Sequence, residues 1–229
     1  MKRPNRKRKP ARPTKAPAKL PAPTLKARTR ARSPLKGRKF PAEPLTKDEV
    51  QALLKACSNR APTGIRNRAL IVIFWRGGLR VDEALSLFPK DLDSDAGTVR
   101  VLHGKGDRSR MVGLDPEALA VIEKWIERRG KIGLNGRHPL FCTLAGEKLW
   151  TPYVRNLFRR LAVKAAIAKR VHPHGLRHTH AFELAGEGVP VHVIQHQLGH
   201  SSLATTDQYI RHLNPQAVVE AMRGRVWGK

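Results

Sequence analysis

The first 39 residues hold sixteen lysines and arginines, seven prolines and no acidic residue. Such a segment repels itself and has too little apolar surface to form a core, so residues 1–41 are expected to be an extended, disordered arm. Every packed element must then come from residues 42–229, enough for one domain of ordinary size. With 40% hydrophobic residues the chain can build a core there. The formal charge of +27 calls for a polyanionic partner, most simply nucleic acid. Within the arm, Lys2, Arg3, Arg6, Lys7, Arg8 and Lys9 are expected to meet phosphates, a salt-sensitive attraction with a log–log slope of about −0.9 per phosphate neutralised. The longest apolar run, Ala69 to Trp75, is too short to span a bilayer, which excludes a helical membrane protein and a membrane partner. Prolines interrupt the basic start throughout, so no export signal is expected. Cys57 and Cys142 are too few for a disulfide framework, and they read as reduced thiols of a cytoplasmic protein.

Local signals place the elements. Thr46-Lys-Asp-Glu49 is a capping box, followed by Val50, Leu53 and Leu54 at helical spacing. A second helix is predicted from Thr63 to Arg76, stopping at Gly77-Gly78, and a third from Arg80 to Phe88 before Pro89. The period then changes. Thr98 to Leu102 alternates, His103-Gly-Lys-Gly-Asp107 reads as a turn, and a second strand falls at Met111-Val112, which together predict a β-hairpin. Pro116 opens a helix to about Arg129, and Pro139 to Thr143 is read as a short extended piece. Thr151-Pro152 reads as an N-cap with Pro at N1, starting a helix to about Ala168. From His174 the chain is nearly all helical, broken at Gly188-Val-Pro190 and Gly199 to Ser202, with a last helix from Pro215. Trp125 and Phe158 are assigned to the core and Tyr153 to packing. The fold class is α+β, mostly helical, with a small antiparallel sheet inserted after the third helix.

A basic, DNA-seeking protein can bind only, or can cut. Cutting a phosphodiester needs a nucleophile, cationic groups for the phosphorane's charge, and an acid for the leaving oxygen. Metal nucleases supply the charge through clustered carboxylates, and with 18 acidic residues against 45 basic ones no such metal site is expected here. The metal-free alternative uses Arg, Lys and His around a side-chain nucleophile. Those residue types recur in suggestive settings: Arg80 after a double glycine, His174 and Arg177 three apart at a helix start, His200 in a turn between helices, and Tyr209 nine residues on. His174 and His178 are spaced for zinc, but no glutamate follows His174 as a metalloprotease would require.

In its motifs the chain resembles the tyrosine recombinase (phage integrase) family, over about residues 42 to 222. The resemblance rests on Gly-Gly-Leu-Arg80-Val-Asp-Glu83, His-Gly-Lys105-Gly, His174-Gly-Leu-Arg177-His-Thr, Leu-Gly-His200-Ser-Ser and Thr205-Thr-Asp-Gln-Tyr209, in that order. It implies the family's catalytic-domain fold and strand exchange on double-stranded DNA with no cofactor, metal or ATP. Tyr209 would be the nucleophile, forming a 3′-phosphotyrosyl link, and Arg80 and Arg177 would hold the non-bridging oxygens. Lys105 would protonate the 5′ oxygen, His174 would accept the tyrosine proton, His200 would bond a phosphate oxygen, and Glu83 would orient Arg80. Arg108 and Arg110, beside the hairpin turn, are expected to contact DNA. The resemblance further implies a dimer or tetramer on DNA, with accessory DNA-bending proteins as possible partners, and a nucleoid-associated protein of bacterial or phage origin. Most members carry a separate helical domain ahead of the catalytic one. None is read before Thr46, so the arm is expected to take over part of the clamp on DNA. Two other classes fit the same residues: a non-catalytic architectural DNA-binding protein, and a nicking and resealing enzyme like type IB topoisomerases.

Overall fold

The computed structural model describes residues 43–102, 109–200 and 223. The basic arm, the hairpin turn with Lys105 and Arg108, the segment with Tyr209 and the helix expected from Pro215 lie outside the described residues. Among the described residues seven helices and one sheet follow in chain order: α1 (Lys47–Lys55), α2 (Pro62–Trp75), α3 (Val81–Leu85), a 3-10 turn at Pro89–Asp91, β1 (Leu92–Asp93), β2 (Thr98–Val101), β3 (Arg110–Gly113), α4 (Pro116–Lys131), α5 (Thr151–Lys164), α6 (Pro173–Gly186) and α7 (Val191–Leu198). The strands form one antiparallel sheet in the order β1-β2-β3, with Val99 opposite Val112 and Val101 opposite Arg110. The α+β class is as expected, with β1 as an unforeseen third strand. Among the described residues no helix is long and apolar enough to cross a membrane.

The caps set where the helices start. Thr46 accepts from the Glu49 amide at 3.2 Å while the Glu49 carboxylate accepts from the Thr46 amide at 2.7 Å, so the predicted box is present. Asp115 caps α4 by accepting from Ala118, with Pro116 behind it. Two predicted ends move. The third helix stops at Leu85 instead of Phe88, because Phe88 is already extended and leads into the 3-10 turn. The helix expected to reach Ala168 ends at Lys164, where Ala166 takes the left-handed conformation at φ 53°. Its N-cap is Trp150, and the Thr151 hydroxyl donates to Asp82 at 3.2 Å instead of capping. Pro139 to Thr143 forms no named strand and holds only the isolated bridge between Cys142 and Lys148.

Helix α2 is the centre of the core. Leu70, Ile71, Ile73 and Phe74 are fully buried, and the helix packs on α4 and α6. Phe74 meets Phe158 of α5 edge-on with ring centroids 5.8 Å apart, and Trp125 of α4 donates its indole N–H to the Leu140 carbonyl at 2.7 Å. Each such side chain contributes about 1.5–3 kcal/mol on removal from water. A helix apolar all round would be expected to exclude charge, yet α2 buries Arg66. Its guanidinium donates to the Cys142 carbonyl at 2.9 Å and to the Tyr153 hydroxyl at 2.6 Å, which satisfies the charge and ties α2 to α5. At the other end of α2, Arg76 donates to Asp115 at 2.6 Å and to Glu183 at 3.0 Å. These bonds lock the C-terminus of α2 to α4 and α6, and so hold the following turn against α6.

Candidate active site

Four separated segments meet where α2 ends. The first is the turn Gly77-Gly78-Leu79, which must reverse the chain with no room for side chains. Gly78 sits at φ +62°, and a Cβ there would lie 2.8 Å from atoms of both His180 and Leu198. The turn delivers Arg80 as the N-cap of α3. Glu83, one turn on, accepts from the Arg80 amide at 2.9 Å and from its guanidinium at 2.8 Å. The other end of the Arg80 guanidinium donates to the Gly199 carbonyl at 3.0 Å.

The second segment is the start of α6. His172 is its N-cap, with Nδ1 accepting from the Gly175 amide at 2.9 Å and Pro173 at the first position. That cap aims the first turns of α6, and with them His174 and Arg177, at the Gly-Gly turn. Arg177 is 1% exposed and donates to the Gly78 carbonyl at 2.5 Å and to the Leu198 carbonyl at 2.6 Å. The His174 ring lies edge-on to His178 at 4.3 Å. The third segment is the end of α7, where Gly199 takes φ +63° as the C-cap and turns His200 toward the arginines. The fourth is the first residue of β3, Arg110, whose guanidinium straddles the Glu83 carboxylate at 2.9 and 2.8 Å.

Sequence reading thus named Arg80, Glu83, His174, Arg177 and His200, and the fold brings all five together. Lys105, Arg108 and Tyr209 lie outside the described residues, as do Lys2, Arg3, Arg6, Lys7, Arg8 and Lys9. Arg110 was expected to face DNA, whereas its guanidinium is turned inward onto Glu83. Two structural residues went unread: His172, whose only signal is its place before a proline, and Gln197, whose amide exchanges hydrogen bonds with both backbone groups of Gly113 at 3.0 and 2.9 Å.

The electrostatics follow from burial among cations. Burial holds His174 at about 4, with Arg177 adding to the effect, and holds His200 at about 4 for the same reasons. Burial likewise holds His178 and His180 at about 3. Burial raises Glu83, but hydrogen bonds from Arg110 and from the Arg80 amide outweigh it and bring the carboxyl down to about 2. At neutral pH the imidazoles are therefore uncharged and able to accept a proton, while Glu83 is ionised. Beside the site a groove of about 740 Å³ runs along α5, lined by Arg155, Arg159, Lys169, Arg170, His172 and His174. Among the described residues no three His, Cys, Asp or Glu side chains are grouped to hold a metal ion.

The histidines give stability a definite pH dependence. Below the usual histidine value of about 6.5 the unfolded chain takes up protons that the folded protein refuses until about 4 for His174 and His200 and about 3 for His178 and His180. Stability must then fall as pH drops through that window, because the unfolded state binds more protons. The melting temperature of the DNA-free protein is expected to drop by at least about ten degrees between pH 7 and pH 5. A melting temperature that stays flat over that range would contradict the burial of neutral rings.

Comparison with known proteins identifies the family and the fold. The phage integrase family model matches residues 43–216. Tyrosine recombinase XerC of Xanthomonas axonopodis pv. citri is 37% identical over 178 residues, covering 78% of this chain and 56% of the relative. Tyrosine recombinase XerD of Ralstonia nicotianae is 34% identical over 168 residues, covering 72% of this chain and 54% of the relative. The chain spans about half the length of the curated relatives it matches. Among solved structures, the XerA recombinase superposes with a TM-score of 0.71 at 30% identity, over 83% of this chain and 68% of that one. The XerH site-specific recombinase in a post-cleavage complex with its palindromic difH substrate superposes with a TM-score of 0.65 at 28% identity, over 81% of this chain and 54% of that one.

Proposed function

The chain belongs to the phage integrase family, and from that membership we propose that it is a site-specific DNA recombinase acting through a 3′-phosphotyrosyl intermediate. The observation that carries this reading is the meeting of Arg80, Arg177, His174 and His200 from three separate segments at one end of α2. Arg80 and Arg177 hold the two non-bridging oxygens of the scissile phosphate and balance the charge gained in the phosphorane. The Tyr209 oxygen attacks phosphorus and its proton passes to His174, which is uncharged at neutral pH and so free of a proton on one nitrogen. A phosphate anion alongside raises the basicity of that imidazole, so substrate binding itself improves the base. The bond from phosphorus to the 5′ oxygen breaks, and Lys105 supplies the proton that makes the leaving group a 5′-hydroxyl. His200 donates to a phosphate oxygen. In the second half the 5′-hydroxyl of another strand attacks the phosphotyrosine, which releases Tyr209 and seals the exchange without metal or ATP.

The partner in this reading is double-stranded DNA. The basic groove along α5 opens onto His174 and suits a phosphate backbone led toward the arginines. Residues 1–41 add a sequence-independent attraction, and residues 42–229 form the catalytic domain. Exchange of strands between two duplexes requires at least two protomers on DNA, and a tetramer accommodates both sites. XerH has been solved on its own DNA substrate, which supports duplex DNA as the ligand here. The test is topological. A supercoiled plasmid carrying two copies of a sequence that the protein cleaves is expected to yield exchanged products with wild type and none with Tyr209→Phe. Relaxed circles without exchange would overturn the recombinase reading in favour of a nicking and resealing enzyme.

A further inference from the structure

We propose that Arg110 is a positioning residue for strand cleavage, which holds the Glu83 carboxylate so that the charge of Arg80 stays available to the substrate phosphate. The inference rests on the recombinase reading of the site. Glu83 is 3% exposed at its side chain, and its two oxygens receive four hydrogen bonds: two from Arg110, one from the Arg80 guanidinium and one from the Arg80 amide. A carboxylate has about four lone-pair sites, so this one is saturated. Two guanidiniums share a single negative charge, which leaves one positive charge uncompensated. Burial decides which arginine carries it outward. The Arg110 side chain is 8% exposed, whereas that of Arg80 is 32% exposed.

Without Arg110, the buried Glu83 would have Arg80 as its remaining guanidinium partner. Arg80 would then neutralise Glu83, and the attraction drawing it to the carboxylate would compete with the substrate phosphate. Arg110 also touches the turn that presents His200. Its Nε lies 3.4 Å from the Gln197 carbonyl, and a Cβ at Gly199 would fall 2.7 Å from its guanidinium. A side chain at Gly199 would therefore displace the Arg110 guanidinium, besides straining the left-handed backbone. One side chain joins the sheet, the start of α3 and the end of α7, while Arg80 remains the more exposed of the two guanidiniums.

The experiment compares cleavage of a normal phosphodiester with cleavage of a methylphosphonate at the scissile position, where a methyl group replaces one non-bridging oxygen and the charge is gone. Loss of cationic help should hurt the charged substrate more than the neutral one. Arg80→Ala sets the reference shift. Arg110→Ala is expected to lower the cleavage rate on phosphodiester by about tenfold to a hundredfold. DNA affinity should change little, and the ratio of methylphosphonate to phosphodiester cleavage should rise in the same direction as for Arg80→Ala. Arg110→Lys, which keeps the charge, should recover part of both effects, and it carries the test if the alanine variant does not fold. Equal slowing on the two substrates, or no slowing, would overturn the proposal. Failure of wild type to form any tyrosine-linked product would instead count against the recombinase reading itself.

Discussion

Arg177→Ala is expected to abolish strand cleavage and to destabilise the protein at the same time. Among the described residues the Arg177 guanidinium joins the Gly78 and Leu198 carbonyls, and removing it takes these donors away from two carbonyls in a buried place. Each orphaned acceptor costs about 1–3 kcal/mol. For a domain of this size that amounts to a fall in melting temperature of roughly ten degrees. On the chemical side, loss of a donor to the phosphorane costs about a hundredfold to a thousandfold, and loss of the turn geometry around Arg80 and His200 adds to it. Arg177→Lys keeps the charge but cannot bridge two carbonyls with a planar fork, so it should fold better than the alanine variant and still cleave poorly. Thermal melting beside a single-turnover cleavage assay reads both quantities. Wild-type cleavage by the alanine variant would contradict the placement of Arg177 in the site.

Glu83→Ala is expected to have the second largest effect, and mainly on stability. It would leave the Arg110 and Arg80 guanidiniums facing each other without the carboxylate that now receives both. Breaking a buried pair by removing one partner costs about 3–5 kcal/mol. Glu83→Gln keeps the shape and part of the bonding, so its cost should be smaller. The carboxyl is brought down to about 2 from 4.5, so its contribution is fully present above about pH 4.5 and is lost as pH falls toward 2. The gap in melting temperature between wild type and Glu83→Gln should therefore be constant from pH 8 to pH 5 and narrow only in stronger acid. A gap that closes already near neutrality would show that the Glu83 carboxylate is not held by the two arginines.

How much of this was legible in the chain depended on how local each feature is. The box at Thr46, the double glycine closing α2 and the start of α4 at Pro116 are signalled within a few residues, and they stand where the sequence places them. β1 is two residues long, too short to show any alternation. The cap of α5 moved from Thr151 to Trp150 because the threonine hydroxyl found Asp82, 69 residues away. Buried Arg66 and Arg129 were equally hidden. Arg129 donates to the Asn135, His138 and Pro139 carbonyls in the loop after α4, a loop whose path only the fold reveals. In the site, Arg80, His174, Arg177 and His200 could be named from their motifs, and Glu83 from its spacing to Arg80. The inward turn of Arg110 could not, because its partner lies 27 residues away and only the pairing of the strands brings them together.

In the proposed reaction Arg80, Arg177, His174 and His200 activate a phosphodiester for attack by Tyr209. Covalent capture tests it most directly. Wild type and Tyr209→Phe would be incubated in EDTA with a library of nicked duplexes, in which the short 5′ fragment escapes and strands the intermediate. Denaturing gels and peptide mapping would then locate any protein–DNA bond. A 3′-linked adduct on Tyr209, formed without metal, is expected in wild type, and no adduct in the Phe variant. An adduct that survives in Tyr209→Phe, a bond to a 5′ end, or no adduct across the whole library would contradict it.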